Sequence, residues 1–224
     1  MASAAERREE LVGLFNEVKS CTRCPLHETR TKAVFGAGDA DADLMFVGEA
    51  PGAEEDRQGL PFVGRAGQLL NQMLEEIGLS REDVFIANVL KSRPPGNRDP
   101  QPLEIEACKP YLFEQVRLIE PTVICTLGNF ATKLLSGNPA GITRVHGTPQ
   151  VHELGGRTVF LLPIFHPAAA LRTPAVKDSL RADFATIPDL LAMGPPVAAE
   201  EPIEETGEES AVVEPSDEQL DMFG

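Results

Sequence analysis

Apolar residues recur at helical spacing in several segments of the chain. Residues 3–19 and RAGQLLNQMLEEIGL each carry such a stripe and are predicted to be helices. PAVKDSLRADFATIPDLLA is predicted to be the last helix. LEIEACKPYLFEQVRLIE is a further predicted helix, which Pro110 should kink or split because proline interrupts the helical hydrogen bonds. NFATKLLSG is predicted to be a short helix.

Continuous apolar runs of strand length alternate with these helices. They are DLMFVG, DVFIANVLK, TVICTLG and TVFLLPIF. Strands that are apolar on both faces are typical of a parallel sheet covered by helices on both sides. The sequence therefore predicts the α/β class, as a three-layer α/β/α sandwich around a mostly parallel four-stranded sheet. A small hairpin is expected within residues 142–157.

The composition changes after Met193. Residues 195–224 hold ten acidic residues and no Lys or Arg, and are predicted to be a disordered acidic tail after a folded domain at 1–194. The formal charge of the chain is −15, but the other 194 residues carry only −5, so an anionic partner is not excluded. With no signal peptide and no run of ~20 apolar residues, a cytoplasmic protein is expected.

Polar residues follow three of the predicted strands. Glu49 comes after the first strand, Asn88 lies near the end of the second, and His166 follows the fourth. Ligands of open parallel sheets bind at the carboxyl ends of the strands, so these side chains are expected to converge on one site. Taken singly, each has an ordinary alternative, such as a loop hydrogen bond for Asn88 or a turn before proline for His166.

The four cysteines are unevenly spaced. Cys21 and Cys24 form a C-x-x-C pair, whereas sixteen residues separate Cys108 from Cys125. Four thiolates are the ligand number of a zinc ion or an iron–sulfur cluster, and the open second pair favours a [4Fe–4S] cluster over a zinc ribbon. The alternative is that Cys108 and Cys125 are small buried residues of a helix and a strand.

The Gly-rich stretch GLPFVGRAG lacks the Lys-Ser/Thr ending of a phosphate-binding loop. Gly64 and Gly67 are instead expected to open the following helix and to permit close packing. This arrangement would leave Phe62 at the wall of a pocket.

Five motifs in this order resemble the family 4 uracil-DNA glycosylases, the iron–sulfur branch of the uracil-DNA glycosylase superfamily. They are CTRCPL, FVGEAPGAEEDRQGLPFVGRAGQLL, NVLKSRPPGNRDP, the pair Cys108 and Cys125, and FHPAAALR. The resemblance implies an enzyme that flips uracil out of DNA and hydrolyses its N-glycosidic bond, which leaves an abasic site and initiates base excision repair. It also implies a [4Fe–4S] cluster held by Cys21, Cys24, Cys108 and Cys125.

The resemblance further implies how the base would be recognised. Phe62 would stack on uracil, and the Asn88 amide would pair with O4 and N3–H. Gly48 and Ala50 would line the base through backbone groups. His166 would bond O2 and stabilise the negative charge that grows on the departing base.

A carboxylate is expected beside the sugar, because the sugar passes through a state resembling an oxocarbenium ion. Family 1 enzymes carry a catalytic Asp where this sequence has Ala50, so the group that activates water is open. Glu49 is the first candidate, followed by Glu55 and Asp56.

Basic residues of the motif loops would form the DNA-contacting face. They are Lys91, Arg93, Arg98 and Arg172. Leu171 would fill the space left by the flipped base, with ordinary packing as its alternative. Ala168 stands where the family often has Ser, so one phosphate contact would be missing.

Three other functions stay open at this point. A suicide-type relative bonds covalently to the sugar through a His in an inserted basic loop, but KSRPPGNRDP is short and has no His. The others are a non-catalytic DNA-binding module of the same fold and a zinc protein with a structural four-cysteine site.

The end of the chain, QLDMF, resembles the peptide Gln-Leu-x-Leu/Met-Phe by which bacterial replication and repair proteins dock in the sliding clamp. The docking residues would be Gln219, Leu220, Met222 and Phe223. A flexible acidic tether ending in an apolar anchor suits such capture, because it raises the effective concentration near the partner. The chain itself is expected to be a monomer.

Overall fold

The computed structural model describes residues 3–197, which form helices packed on both faces of a six-stranded sheet. The strands are β1 (Ala37–Gly38), β2 (Leu44–Gly48), β3 (Phe85–Asn88), β4 (Val123–Leu127), β5 (Gln150–Leu154) and β6 (Arg157–Ile164). The helices are α1 (Ala4–Ser20), α2 (Ala53–Gln58), α3 (Arg65–Glu76), α4 (Pro102–Ile119), α5 (Asn129–Ser136), α6 (Ile142–Val145), α7 (Pro167–Ala170), α8 (Pro174–Ala185) and α9 (Ile187–Ala192). Short 3₁₀ turns span Pro25–Glu28, Arg81–Asp83 and Pro95–Asn97.

The sheet has the strand order β1-β3-β2-β4-β6-β5. The four predicted strands are its inner members and are mutually parallel, whereas β1 and β5 pair antiparallel at the two edges. The expected mostly parallel sheet is therefore present, but it has six strands rather than four. The carboxyl ends of β2, β3 and β6 lie at the same edge of the sheet and precede the polar residues singled out above.

Two apolar cores lie on opposite faces of the sheet, as a three-layer α/β/α sandwich requires. Side chains from α1, α4 and α5 fill the core on one face, and side chains from α3, α8 and α9 fill the core on the other. Successive residues of a strand point to opposite faces. On β4, Ile124 accordingly enters the first core, whereas Val123, Cys125 and Leu127 enter the second.

Prolines and glycines lie at the points where the observed elements were least certain from the sequence. Pro110, which was expected to kink or split its segment, lies at an exposed position inside one continuous helix, α4, and does not split it. The last predicted helix is instead two helices, α8 and α9, with Pro188 in the first turn of the second. The hairpin pairs β5 with β6 through Gly155 and Gly156, whose φ angles of 58° and 73° suit a tight turn.

Within residues 3–197, none of the helices is both long enough and apolar enough to cross a membrane. The predicted acidic tail lies outside the described residues from position 198 onward, and so do Gln219, Leu220, Met222 and Phe223.

Candidate active site

A pocket of about 330 Å³ opens where β2, β3 and β6 end. The loops that follow these strands bring together most of the residues predicted to recognise a base. The lining includes Glu49, Ala50, Glu55, Phe62, Ala66, Asn88, Asn97, Arg98, His166 and Ala168. The three strand-end residues therefore converge, as the sequence predicted.

Asn88, the last residue of β3, carries an unpaired acceptor. Its side chain is 2% exposed, and its Oδ1 is the one buried side-chain oxygen or nitrogen in the described part of the chain without a hydrogen-bond partner. An unpaired buried acceptor costs ~1–3 kcal/mol, so a donor supplied by a ligand would recover that free energy. A ligand that brings an N–H to this atom would therefore satisfy it.

Gly48 sets the shape of the pocket behind Asn88. A Cβ at this position would overlap Asn88 Oδ1 and approach the Phe62 ring to 2.8 Å. Glycine is therefore required here for Asn88 and Phe62 to keep their places, and Gly48 acts by its small size beneath the lining.

Phe62 is held in an unusual backbone conformation at the pocket wall. Its φ is 50°, which is rare for a residue with a side chain. Arg81 donates hydrogen bonds to the carbonyl oxygens of Pro61 and Phe62. Glu55 accepts hydrogen bonds from the backbone N–H of Val63 and of Gly64, at 3.0 and 3.1 Å.

The sequence indicates neither of these supports in full. Nothing near Arg81 in the sequence indicates its partners, because they lie in a separate loop. Glu55 was a candidate to activate water, and the structure shows in addition that its carboxylate holds the Phe62 loop in place. Gly67, whose Cβ would collide with the Phe62 carbonyl, permits the close packing that the sequence predicted.

His166 lines the pocket in a defined protonation state. Its Nδ1 accepts a hydrogen bond from the backbone N–H of Ala168 at 3.0 Å, so Nδ1 is unprotonated and Nε2 carries the hydrogen. Burial lowers the pKa of His166 to about 4. The imidazole is therefore a neutral donor near neutral pH. Its ring centroid lies 5.7 Å from that of Phe62, at an interplanar angle of 28°.

The three candidate carboxylates occupy different environments. Burial, and to a smaller extent the negative charge of Asp99, raises the pKa of Glu49, which lines the pocket. Glu55 also lines the pocket but bonds the Phe62 loop. Asp56 is buried and accepts the backbone N–H of Thr31 at 2.9 Å, which makes it a structural link to the N-terminal loop.

Lys91 does not reach the surface, so its prediction as a DNA contact was wrong. Its side chain is 1% exposed, and its Nζ donates to the backbone oxygen of Asn88 at 2.8 Å and to Gln115 Oε1 at 2.6 Å. Burial lowers the pKa of Lys91 to about 7. The lysine thus supports the end of β3 directly beneath the pocket.

The other predicted DNA-contacting residues lie nearer to solvent. Arg98 lines the pocket and pairs with Glu104 through two hydrogen bonds of 2.9 and 2.5 Å. Arg93 bonds Asn97 in the same loop. Leu171 and Arg172 are exposed just after α7, the helix that begins beside His166.

The four cysteines do not share one face of the sheet. Cys24 and Cys108 belong to the core under α1 and α4, with Cys21 packed against it, whereas Cys125 belongs to the opposite core. Cys125 therefore cannot join the other three at one centre, because the sheet lies between them, and the predicted set of four ligands was wrong. Among residues 3–197, no three His, Cys, Asp or Glu side chains stand in an arrangement that would hold a metal ion.

Comparisons with known proteins agree with this fold. Residues 35–186 match the family model described as the Uracil DNA glycosylase superfamily. The type-4 uracil-DNA glycosylase of Archaeoglobus fulgidus is 46% identical over 186 residues, which cover 81% of this chain and 94% of that protein. Those of Sulfurisphaera tokodaii and Thermotoga maritima are 47% and 50% identical, over 81% and 74% of this chain and 85% of each relative. The chain therefore belongs to the type-4 family of the uracil-DNA glycosylase superfamily.

Proposed function

We propose that this chain is a uracil-DNA glycosylase, which hydrolyses the N-glycosidic bond of uracil in DNA and leaves an abasic site for base excision repair. The observation that carries the proposal is the buried, unpaired Asn88 Oδ1, which lies next to Gly48, as the Phe62 ring does, at a pocket large enough to admit a base. The type-4 relatives bear the same activity in their names.

Asn88 supplies the discrimination between uracil and cytosine. Its Oδ1 accepts N3–H of uracil, and its amide nitrogen donates to O4. Cytosine presents an acceptor at N3 and a donor at position 4, so both pairs would be mismatched. Each mismatched group in a dry pocket costs ~1–3 kcal/mol. The base must leave the helical stack to reach this pocket, and Phe62 replaces part of the lost stacking.

His166 stabilises the departing uracil anion as a neutral donor. Its Nε2–H is fixed by the bond from Ala168 N–H to Nδ1, so no rearrangement is needed when charge grows on O2. Such a preorganised donor typically contributes ~3–4 kcal/mol to the transition state.

Glu49 supplies the negative charge for the sugar side of the reaction. As the glycosidic bond breaks, positive charge develops on the deoxyribose, and a carboxylate at the pocket mouth stabilises it and orients the attacking water. Glu49 must be ionised for both tasks. Since its pKa is raised, activity should fall on acidification at a higher pH than for an ordinary carboxyl group.

The substitution Asp99→Asn should move the acidic limb of the pH–activity profile to lower pH. The negative charge of Asp99 raises the pKa of Glu49, so its removal lets Glu49 ionise more readily. The measurement is kcat/KM against pH on a uracil-containing oligonucleotide, because kcat/KM reports groups of the free enzyme. The control Glu9→Gln removes a negative charge from α1 and should leave the midpoint of the acidic limb at the same pH. If the acidic limb of Asp99→Asn also kept its midpoint, Glu49 would be excluded as the group that causes it.

Leu171 and Arg172 are proposed to contact the DNA beside the flipped base. Leu171 is apolar and 47% exposed, five residues after His166, which places it for insertion into the gap in the duplex. Arg172 would bind a neighbouring phosphate, together with Arg93 and Arg98 from the loop after β3.

The wedge role predicts a substrate-dependent loss in Leu171→Ala. Excision from base-paired DNA should fall by about tenfold, since filling the gap offsets unstacking of a few kcal/mol. Excision from single-stranded DNA should change much less, because no partner strand closes behind the base. Equal losses on the two substrates would assign Leu171 to packing instead.

Turnover separates this proposal from the covalent and non-catalytic alternatives. The enzyme should form more abasic product than the moles of protein added, detected by alkaline cleavage of a labelled oligonucleotide containing one uracil. A suicide-type protein would stop at one product per chain and remain attached to the DNA. A binding module would retard the oligonucleotide without any cleavage.

The chain is further proposed to dock on a DNA sliding clamp through Gln219, Leu220, Met222 and Phe223, at the end of the acidic segment that follows the domain. The support is the sequence QLDMF itself, together with the proposed role in repair, in which delivery to newly made DNA is useful.

Deletion of residues 219–223 should abolish binding to the clamp and leave excision from short oligonucleotides unchanged. The measurement is direct binding of the purified clamp to the full chain, with deletion of residues 204–208 as a control of equal length. If the clamp binds both deletions equally, the docking proposal fails.

A further inference from the structure

A cysteine centre on the α1–α4 face has three thiols rather than four. Cys21 and Cys24 precede the 3₁₀ turn at Pro25–Glu28, and Cys108 lies on the buried side of α4. Cys24 and Cys108 lie in the same core, and Cys21 packs against it. The three thiols therefore share one face of the sheet, although they come from distant parts of the chain.

Two of these three thiols receive a backbone hydrogen bond. Arg23 N–H donates to Cys21 Sγ and Lys91 N–H donates to Cys108 Sγ, both at 3.5 Å. The backbone N–H of Leu26 also interacts with the third thiol, that of Cys24. N–H groups aimed at sulfur favour the thiolate, which is the form that binds metals, and they are typical of iron–sulfur sites.

Cys125 shares none of these features. It is fully buried on the other face of the sheet, where burial and the negative charge of Asp183 raise its pKa. Both influences oppose the thiolate form. Cys125 is thus a small apolar core residue, in the way anticipated as the alternative for a strand cysteine.

Ser92 is the oxygen donor best placed to complete the centre. Its side chain is 3% exposed, and it directly follows Lys91, whose N–H bonds Cys108. Its Oγ accepts a hydrogen bond from Arg30 Nη1 at 3.1 Å. Arg30 also interacts electrostatically with Cys24. Ser92 is therefore connected to Cys108 on one side and to the loop of Cys24 on the other.

Other oxygens near the thiols are already engaged. Glu104 pairs with Arg98 through both carboxylate oxygens and also accepts the backbone N–H of Gln101. The Tyr111 hydroxyl is hydrogen-bonded to Cys21. Both groups therefore already have partners.

We propose that Cys21, Cys24 and Cys108 hold an iron–sulfur cluster whose fourth corner is occupied by Ser92 rather than by a cysteine, and that Cys125 is not a ligand. A single zinc ion requires four ligands about 2.3 Å from the metal. The described residues include no such tight set. An iron–sulfur cluster is larger than a single zinc ion, so the thiolates that bind it lie further from one another. The centre joins the N-terminal loop, the segment after β3 and α4, and so supports the floor of the pocket.

The test compares metal content in substituted full-length proteins purified without oxygen. Iron and acid-labile sulfide per folded chain should be the same in the parent and in Cys125→Ala, and should be lost in Cys108→Ala. The electron paramagnetic resonance spectrum of the reduced cluster should change in Ser92→Cys, because the ligand of one iron changes from oxygen to sulfur. Circular dichroism verifies that each variant is folded.

Removal of iron by a chelator provides a second, graded readout. Iron should leave Ser92→Ala faster than the parent and leave Ser92→Cys more slowly, since thiolate is the softer and stronger ligand for a cluster. Loss of iron in a folded Cys125→Ala would overturn the proposal. So would identical spectra and release rates in the parent and both Ser92 variants, or zinc in place of iron. None of these readouts depends on excision of uracil.

Discussion

Replacing Asn88 with Leu should lower kcat/KM for uracil excision by about two to three orders of magnitude, since two hydrogen bonds of ~1–3 kcal/mol each are lost in a dry pocket. The same substitution should not lower the melting temperature. Asn88 Oδ1 is buried without a partner, so an apolar side chain that branches at the same atom removes an unfavourable group and leaves no bond broken at that oxygen. Excision kinetics and thermal unfolding of the two proteins provide the measurement.

Thr126→Val is the matched control for Asn88→Leu. Thr126 is also a fully buried polar residue of the sheet, but its Oγ1 shares a hydrogen bond of 2.7 Å with Thr132. Its loss should lower stability by about 1 kcal/mol and leave excision intact. If Asn88→Leu instead lost stability and kept activity, Asn88 would be a structural residue.

Replacing His166 with Ala should lower kcat by ~10²–10³, the usual effect of removing one preorganised donor to a developing oxyanion. KM should change little, because the bond to O2 becomes strong only as charge develops. The pKa of about 4 means that His166 is neutral above roughly pH 5, so it should contribute no limb to the pH profile in that range. Single-turnover kinetics at several pH values measure both effects.

His152→Ala controls for loss of an imidazole elsewhere. His152 lies on the edge strand β5 and bonds Gln150, so its removal should leave kcat unchanged. A pH profile of the parent with a limb that disappears in His166→Ala would contradict the assignment of His166 as a neutral donor. A kcat unchanged in His166→Ala would remove it from the reaction altogether.

The parallel part of the sheet and the site at its edge were predictable because both depend on local signals. The four apolar runs, and the polar residues that follow them, specify which strands are buried and where a ligand would bind. The edge strands carry weaker signals. β1 is only two residues long and has no such pattern, whereas β5 lies within the expected hairpin and owes its place in the sheet to pairing with β6.

The errors at Lys91 and Cys125 have one physical origin. Whether a side chain is buried, and on which face, depends on partners far along the chain. Lys91 is satisfied by Gln115 on α4, and the face of Cys125 is fixed by which helices cover β4. Spacing alone linked Cys125 to Cys108, whereas alternation along β4 separates them. The role of Arg81 could not be predicted for a related reason, since it donates to backbone oxygens of the Phe62 loop, nineteen and twenty residues earlier in the chain.

The most direct test of the account is the specificity of base release by the parent chain. Three labelled oligonucleotides that differ only in one base, uracil, cytosine or thymine, are incubated with the protein and treated with alkali. Cleavage at the uracil position alone, absent with Asn88→Ala, is the predicted result. Absence of an abasic product from the uracil oligonucleotide, or equal cleavage at cytosine, would contradict the claim that Asn88 and His166 form a uracil-excising site.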